Sequence, residues 1–326
     1  MAVTSDERLA ARDRGAPPSP VARWLRPVLV ANLVAQIGIV VTGGLVRLTG
    51  SGLGCPSWPQ CVPGSYTPVV TQPQGIHKDI EFGNRLLTFV VSVFAITAFV
   101  VVVRHVRAGF GGRRLLRLGL VPPVGVAVQA VVGGVTVHTD LNPNVVAPHF
   151  LISMVLVAAS TALLLAAVAA EGADAGDAAT AAPVPRPLRV LAGLLCAVAA
   201  VVVVLGTVVT GSGPHSGDAE RPARLGFDPR TVSWLHADAV WLFVGLVLAL
   251  LLSLSLAGHR AGDRPRLLRR AWALLVVTLL QGAIGYTQYL LDLPIALVSL
   301  HMLGASLLMV AVTAAAYPLL VRPRTA

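Results

Sequence analysis

Eight apolar runs punctuate the chain, near 28–46, 84–103, 118–137, 146–170, 188–210, 232–257, 271–290 and 294–320. At a helical rise of about 1.5 Å per residue, each is long enough to cross roughly 30 Å of hydrocarbon. The pattern predicts eight transmembrane helices joined by polar loops. One polar stretch stands out, Ile76-His77-Lys78-Asp79-Ile80-Glu81-Phe82-Gly83-Asn84-Arg85, because it leads directly into the second apolar run. A helix starting near His77 would place His77, Glu81 and Arg85 on one face at four-residue spacing. Ionisable groups at a membrane helix are costly and are read as functional.

The basic residues then orient the chain. Of the Lys and Arg residues, nineteen lie on the side of the N-terminal tail, the loops after the second, fourth and sixth runs, and the C-terminus. The other side has six: Arg47, Lys78, Arg85, Arg221, Arg224 and Arg230. The positive-inside rule puts both termini in the cytoplasm and the stretch around Glu81 at the outer face of the plasma membrane. Composition agrees: 55% of residues are hydrophobic and 12% charged, about half the charge of a soluble domain. The net charge of +10 sits in short inter-helix loops, which argues for topology and against a nucleic-acid partner. Residues 1–26 read as a disordered cytoplasmic tail with no evident cleavable signal peptide, and the first apolar run serves as an uncleaved signal anchor. A small, polar, Pro-containing linker at 171–187 separates two four-helix halves, 27–170 and 188–320, with a short tail at 321–326.

The halves carry matching residues. Gln129 and Gly133 match Gln281 and Gly285, His149 matches His301, and Asn84 matches His236, all 152 residues apart. Thr49-Gly50-Ser51-Gly52 matches Thr210-Gly211-Ser212-Gly213 at a larger offset, because the first outer loop is longer. Each half has four helices and enters from the same side, so the expected fold is all-α: two four-helix bundles related by parallel duplication.

His236 and His301 fall just inside the outer ends of the sixth and eighth helices, among apolar residues. A buried neutral histidine with a hydrogen-bond partner is the plain reading of either. A pair at equal depth on two helices is better explained by haem held between two axial imidazoles in a bundle core. His149 takes the same place in the first half, but its repeat partner is Asn84, a poor iron ligand. That asymmetry points to one permanently held haem and one site with an open or exchangeable position. His77 lies seven residues before Asn84, a helical rise of roughly 10 Å, so it would ligate iron only if the segment unwound; otherwise it is a solvated loop residue. His138 either lines the first-half site or marks the membrane interface. His215 reads as an exposed loop residue, and His105 and His259 as solvated among arginines.

Glu81 lies one turn from Asn84, where a carboxylate in low dielectric can act as a base or proton carrier; pairing with Lys78 and Arg85 is the alternative. Arg85 and Arg47 are candidates for holding anionic groups such as haem propionates, against simple helix-end snorkelling. Cys55 and Cys61 share one loop and form either a disulfide or half of a metal site. No second pair at zinc spacing follows, which favours the disulfide if the loop faces outward. Cys196 reads as packing.

Gly43-Gly44-Leu45-Val46-Arg47-Leu48-Thr49-Gly50-Ser51-Gly52-Leu53-Gly54-Cys55-Pro56, Glu81-Phe82-Gly83-Asn84-Arg85 and Pro148-His149-Phe150 resemble heme A synthase, the cytochrome oxidase assembly enzyme. The likeness extends over nearly all eight helices. It implies oxidation of a haem o methyl group to the formyl of haem A, with haem b held by His236 and His301. It also implies a substrate site around His149, a catalytic acid at Glu81 and a Cys55–Cys61 disulfide. Implied partners are heme O synthase, other oxidase assembly factors and an unidentified electron donor. Two departures are visible. The family's pattern often reads Glu-x-x-His-Arg where this chain has Asn84, and some members carry a cysteine pair in the second outer loop, which here has none. The competing readings are a quinol-linked cytochrome b without substrate chemistry, which would want two bis-histidine sites, and a haem carrier.

Overall fold

The computed structural model describes residues 22–173, 184–218, 221–256 and 264–321. The tail expected at 1–26 lies largely outside these residues, as do His259 and the middle of the expected linker. Eight helices account for the regular structure among the described residues: α1 Ala22–Leu48, α2 Ile76–Arg107, α3 Arg113–His138, α4 Pro143–Ala173, α5 Arg186–Ser212, α6 Pro229–Leu256, α7 Arg264–Leu290 and α8 Ile295–Leu320. All eight are long and apolar enough to cross a membrane.

Most of the helices outrun their apolar windows. α2 begins at Ile76 and not near residue 84, so the polar stretch before Asn84 is itself helical. The backbone hydrogen-bond ladder does not stop where hydrocarbon does; polar side chains carry the extra turns into the interface.

α1 packs on α2, α2 on α3, α3 on α4 and α4 on α1, which closes a first bundle. α5 to α8 close a second bundle by the same pairings. The two bundles meet through α8 against α1 and α4, and α4 against α5. Gly44 lets α1 approach α8 so closely that a β-carbon there would strike the Met302 side chain. At the loop end, Arg47 Nε donates to the His215 carbonyl at 2.8 Å and Nη2 to the Thr210 carbonyl at 3.2 Å. Gly52 N–H donates to Gly217 O at 2.9 Å. Together these contacts tie the first long loop to the second bundle.

The second bundle has a large apolar core that includes Leu195, Phe243, Val247, Leu250, Leu274 and Val312, with Cys196 packed against it. The first is apolar at the far end, around Leu25, Leu29, Val102 and Leu163. Next above that layer its core turns polar. Asn32 is fully buried, and its Nδ2 donates to Ser160 Oγ at 3.1 Å. The buried Asn32 Oδ1 and Gln36 Nε2 have no partner among the described residues. Two histidines differ from the sequence expectation. His105 is buried and its ring stacks on Phe110, 5.3 Å between centroids, because the turn after α2 folds back over it. His215 is half-buried, its Nε2 2.9 Å from Leu293 O.

Candidate functional site

Four positions repeat one arrangement, in which a polar residue on the second helix of a pair faces a glycine on the first. A β-carbon on Gly133 would lie 3.4 Å from His149 Cε1, on Gly206 3.4 Å from His236 Cε1, on Gly285 3.2 Å from His301 Cε1, and on Gly43 3.8 Å from Asn84 Nδ2. Each glycine therefore makes room for the edge of a ring or amide between helices. Gln129 Nε2 donates to the His149 carbonyl at 2.9 Å, and Gln281 Nε2 to the His301 carbonyl at 2.7 Å. These bonds lock the two histidine-bearing helices at the same height in both bundles.

The three imidazoles are short of partners. The buried Nδ1 atoms of His149, His236 and His301 make no well-formed hydrogen bond among the described residues, the His236 and His301 rings having only the Val202 and Gln281 backbone beside them, although buried polar atoms normally find a partner. His236 on α6 and His301 on α8 lie on diagonal helices of the second bundle. Two imidazoles with no well-formed bond at Nδ1, each backed by a glycine in the bundle, fit the axial ligation of haem. Among the described residues no cluster of three or more His, Cys, Asp or Glu fits a bare metal ion.

Asn84 is placed differently. Its Oδ1 accepts from Thr42 Oγ1 at 2.8 Å. Thr42 was not legible as a site residue, because the contact joins helices 42 positions apart.

Glu81, Arg85 and the cysteine loop form one unit. Cys55 and Cys61 are joined in a disulfide. Glu81 is 6% exposed. Its Oε2 accepts from Cys55 N–H at 2.7 Å, and its Oε1 from Arg85 Nε at 3.0 Å and Nη2 at 2.5 Å. Arg85 Nη1 donates to the carbonyls of Ser57 at 2.9 Å and Gln60 at 3.2 Å, and Nη2 to that of Cys55 at 2.9 Å. A guanidinium has five N–H groups, and these contacts occupy all of them. Arg85 thus anchors the loop, and in this arrangement it has no donor left for an anionic group. Arg47 keeps Nη1 uncommitted.

Trp58, at the loop's tip, lies against Gly134, where a β-carbon would be 2.6 Å from Cε3. The neighbouring Gly133 faces His149, so the indole sits beside the first site. His138 Nε2 lies 3.0 Å from the Trp58 carbonyl and helps hold that loop. His77 is half-buried, with Nδ1 2.8 Å from Ser51 Oγ. Its backbone is so close to Gly54 that no β-carbon fits there. The sequence offered no signal for Trp58 beyond its place between the two cysteines.

The geometry defines a multi-pass membrane protein with two bundles, each presenting a histidine-bearing site near the end that carries the disulfide loop. The chain belongs to the COX15-CtaA family of cytochrome oxidase assembly proteins, whose sequence pattern matches residues 26–313. Similar proteins include the heme A synthase of Methylorubrum extorquens, 29% identical over 84% of this chain and 80% of that protein. The heme A synthases of Geobacillus kaustophilus and Lysinibacillus sphaericus are each 34% identical, over 44% and 46% of this chain. In these two matches the chain spans about half the length of the relative, 45% and 46%.

Proposed function

We propose that the protein is a membrane oxidoreductase that converts haem o to haem A by successive oxidation of a porphyrin methyl group to formyl, for cytochrome c oxidase assembly. Family membership and the names of the relatives support the reaction class. The observation that carries the division of labour is the repeated glycine-faced position, filled by histidine at 149, 236 and 301 and by asparagine at 84. The two bundles are read as copies of one ancestral unit that have since diverged.

His236 and His301 would hold a resident haem b through their ring nitrogens. When bound, that group supplies one-electron transfer, which no side chain here can provide. The substrate haem o would occupy the first bundle, with His149 towards its iron. Arg47 has donors free for a propionate. Trp58 and the disulfide loop cover the site and limit entry of water. Glu81 is read as the proton-handling carboxylate, one helical turn from Asn84, and the same group anchors the loop through Cys55 N–H. Its buried bonds to Arg85 make loop position and carboxylate protonation interdependent.

Both termini are placed in the cytoplasm and the sites near the outer face of the plasma membrane, on the distribution of Lys and Arg. A prenylating haem O synthase would supply the substrate, and the assembling oxidase would take the product. The deciding experiment is co-expression of the full chain with a haem o producer, followed by mass analysis of extracted pigments. A formyl-bearing haem that depends on this chain is the expected result. Recovery of haem o and haem b alone would overturn the reaction and leave electron transfer or carriage.

A further inference from the structure

The geometry points to Asn84 as a hydrogen-bond donor, oriented by Thr42, that faces the substrate across from His149. The substrate iron would then have a protein ligand on one side only. This inference rests on the reading that haem o binds in the first bundle. An amide side chain has one acceptor oxygen and one NH2 donor group, and here the oxygen is already taken. The Thr42 hydroxyl has a single proton and two acceptors within reach, Asn84 Oδ1 at 2.8 Å and the Ile39 carbonyl at 3.3 Å. The shorter contact is the bond, so Thr42 fixes the amide with its oxygen turned away. The NH2 group is left on the side of Gly43, at the place where Gly206 faces the His236 ring in the second bundle.

Among the described residues no other imidazole competes for the position. His77 is held by Ser51 and lies roughly 10 Å along α2 from Asn84. His138 is held by the Trp58 carbonyl. His236 and His301 would then close both faces of a haem in the second bundle. In the first, His149 would close one face and Asn84 would offer a neutral donor on the other, which suits a small exchangeable ligand that accepts a hydrogen bond. Thr42 is a positioning residue, acting only through Asn84.

The test uses the purified full chain loaded with haem o, reduced and exposed to carbon monoxide, whose stretching frequency falls when a donor points at its oxygen. The wild-type protein should bind carbon monoxide at the first-bundle haem and not at the second. Asn84→His should abolish that binding and convert the iron to low spin. Asn84→Ala should keep binding but raise the stretching frequency. Thr42→Val should raise it in the same direction, and Thr42→Ser should restore the wild-type value. Wild-type haem o that refuses carbon monoxide, or identical frequencies in wild type and Asn84→Ala, overturns the donor role while leaving first-bundle binding intact. Haem o retention that is unchanged by His149→Ala overturns the placement of the substrate, and this proposal with it.

Discussion

The two bundles hold their polar side chains in opposite ways. The second buries an imidazole pair above a large apolar core, where a β-carbon added at Gly206 or Gly285 would come within 3.4 Å or 3.2 Å of the rings. The first has one imidazole and one amide, a disulfide loop pinned by a buried ion pair, and a polar layer at Asn32, Gln36 and Ser160. A site meant to keep its haem gains from ligands on both faces and a tight, dry surround. One that must admit, alter and release a porphyrin needs an unligated face, a movable cover and groups that handle protons. On the proposed reading, shared helix packing with different side chains would separate holding from turnover.

The largest test of this contrast is removal of one ligand from each side. His301→Ala should abolish the haem b signal in reduced-minus-oxidised spectra, whereas His149→Ala should leave that signal intact. Equal losses from both would erase the distinction between the bundles. Next, Glu81→Gln should keep haem b but lower haem A formation by about 10²-fold or more, the usual scale for losing a proton-transfer group; product quantified by mass against bound haem b checks it. A smaller effect is expected at Gly285. An added methyl would crowd His301 at 3.2 Å, so Gly285→Ala should reduce haem b occupancy several-fold, while Gly193→Ala, in open space, should leave it unchanged.

The smallest effect concerns Asp228, at the mouth of α6. Its Oδ2 accepts from Thr231 N–H at 2.8 Å and Thr231 Oγ1 at 2.7 Å. These bonds hold the exposed carboxyl below its ordinary value of 3.8. A depressed carboxyl contributes stability above its unfolded value and loses it as pH falls through the lower folded value. Asp228→Asn should therefore flatten the thermal stability profile only below about pH 4, as read by melting of the detergent-solubilised protein.

Much of the architecture was legible because hydrocarbon imposes a length on every span and a charge bias on every loop. The paired histidine positions were legible as well, because the second bundle repeats Gln281, Gly285 and His301 at the spacing of Gln129, Gly133 and His149. What escaped lies in contacts between distant segments. Trp58 meets Gly134, and Thr42 meets Asn84, and neither pair has a periodic signature. Arg85 was expected to be available to an anion, but the number of loop carbonyls that would converge on its guanidinium depends on a fold of residues 55–60 that hydropathy does not encode. His105 escaped for a similar reason, since its burial comes from Phe110 in the following turn.

Asn32 bears on how the protein is made. It sits in α1, while the hydroxyl that accepts from its Nδ2 belongs to Ser160 in α4, 128 residues later. Until α4 is made, the Asn32 amide on α1 passes through lipid or translocon without Ser160 to accept its bond. Polar contacts of this kind contribute about 0.6–2 kcal/mol each inside a bilayer. They give α1 a reason to linger beside the insertion machinery until α4 arrives. The first bundle should therefore close as a single late event, with its site assembled only once the fourth span is in place.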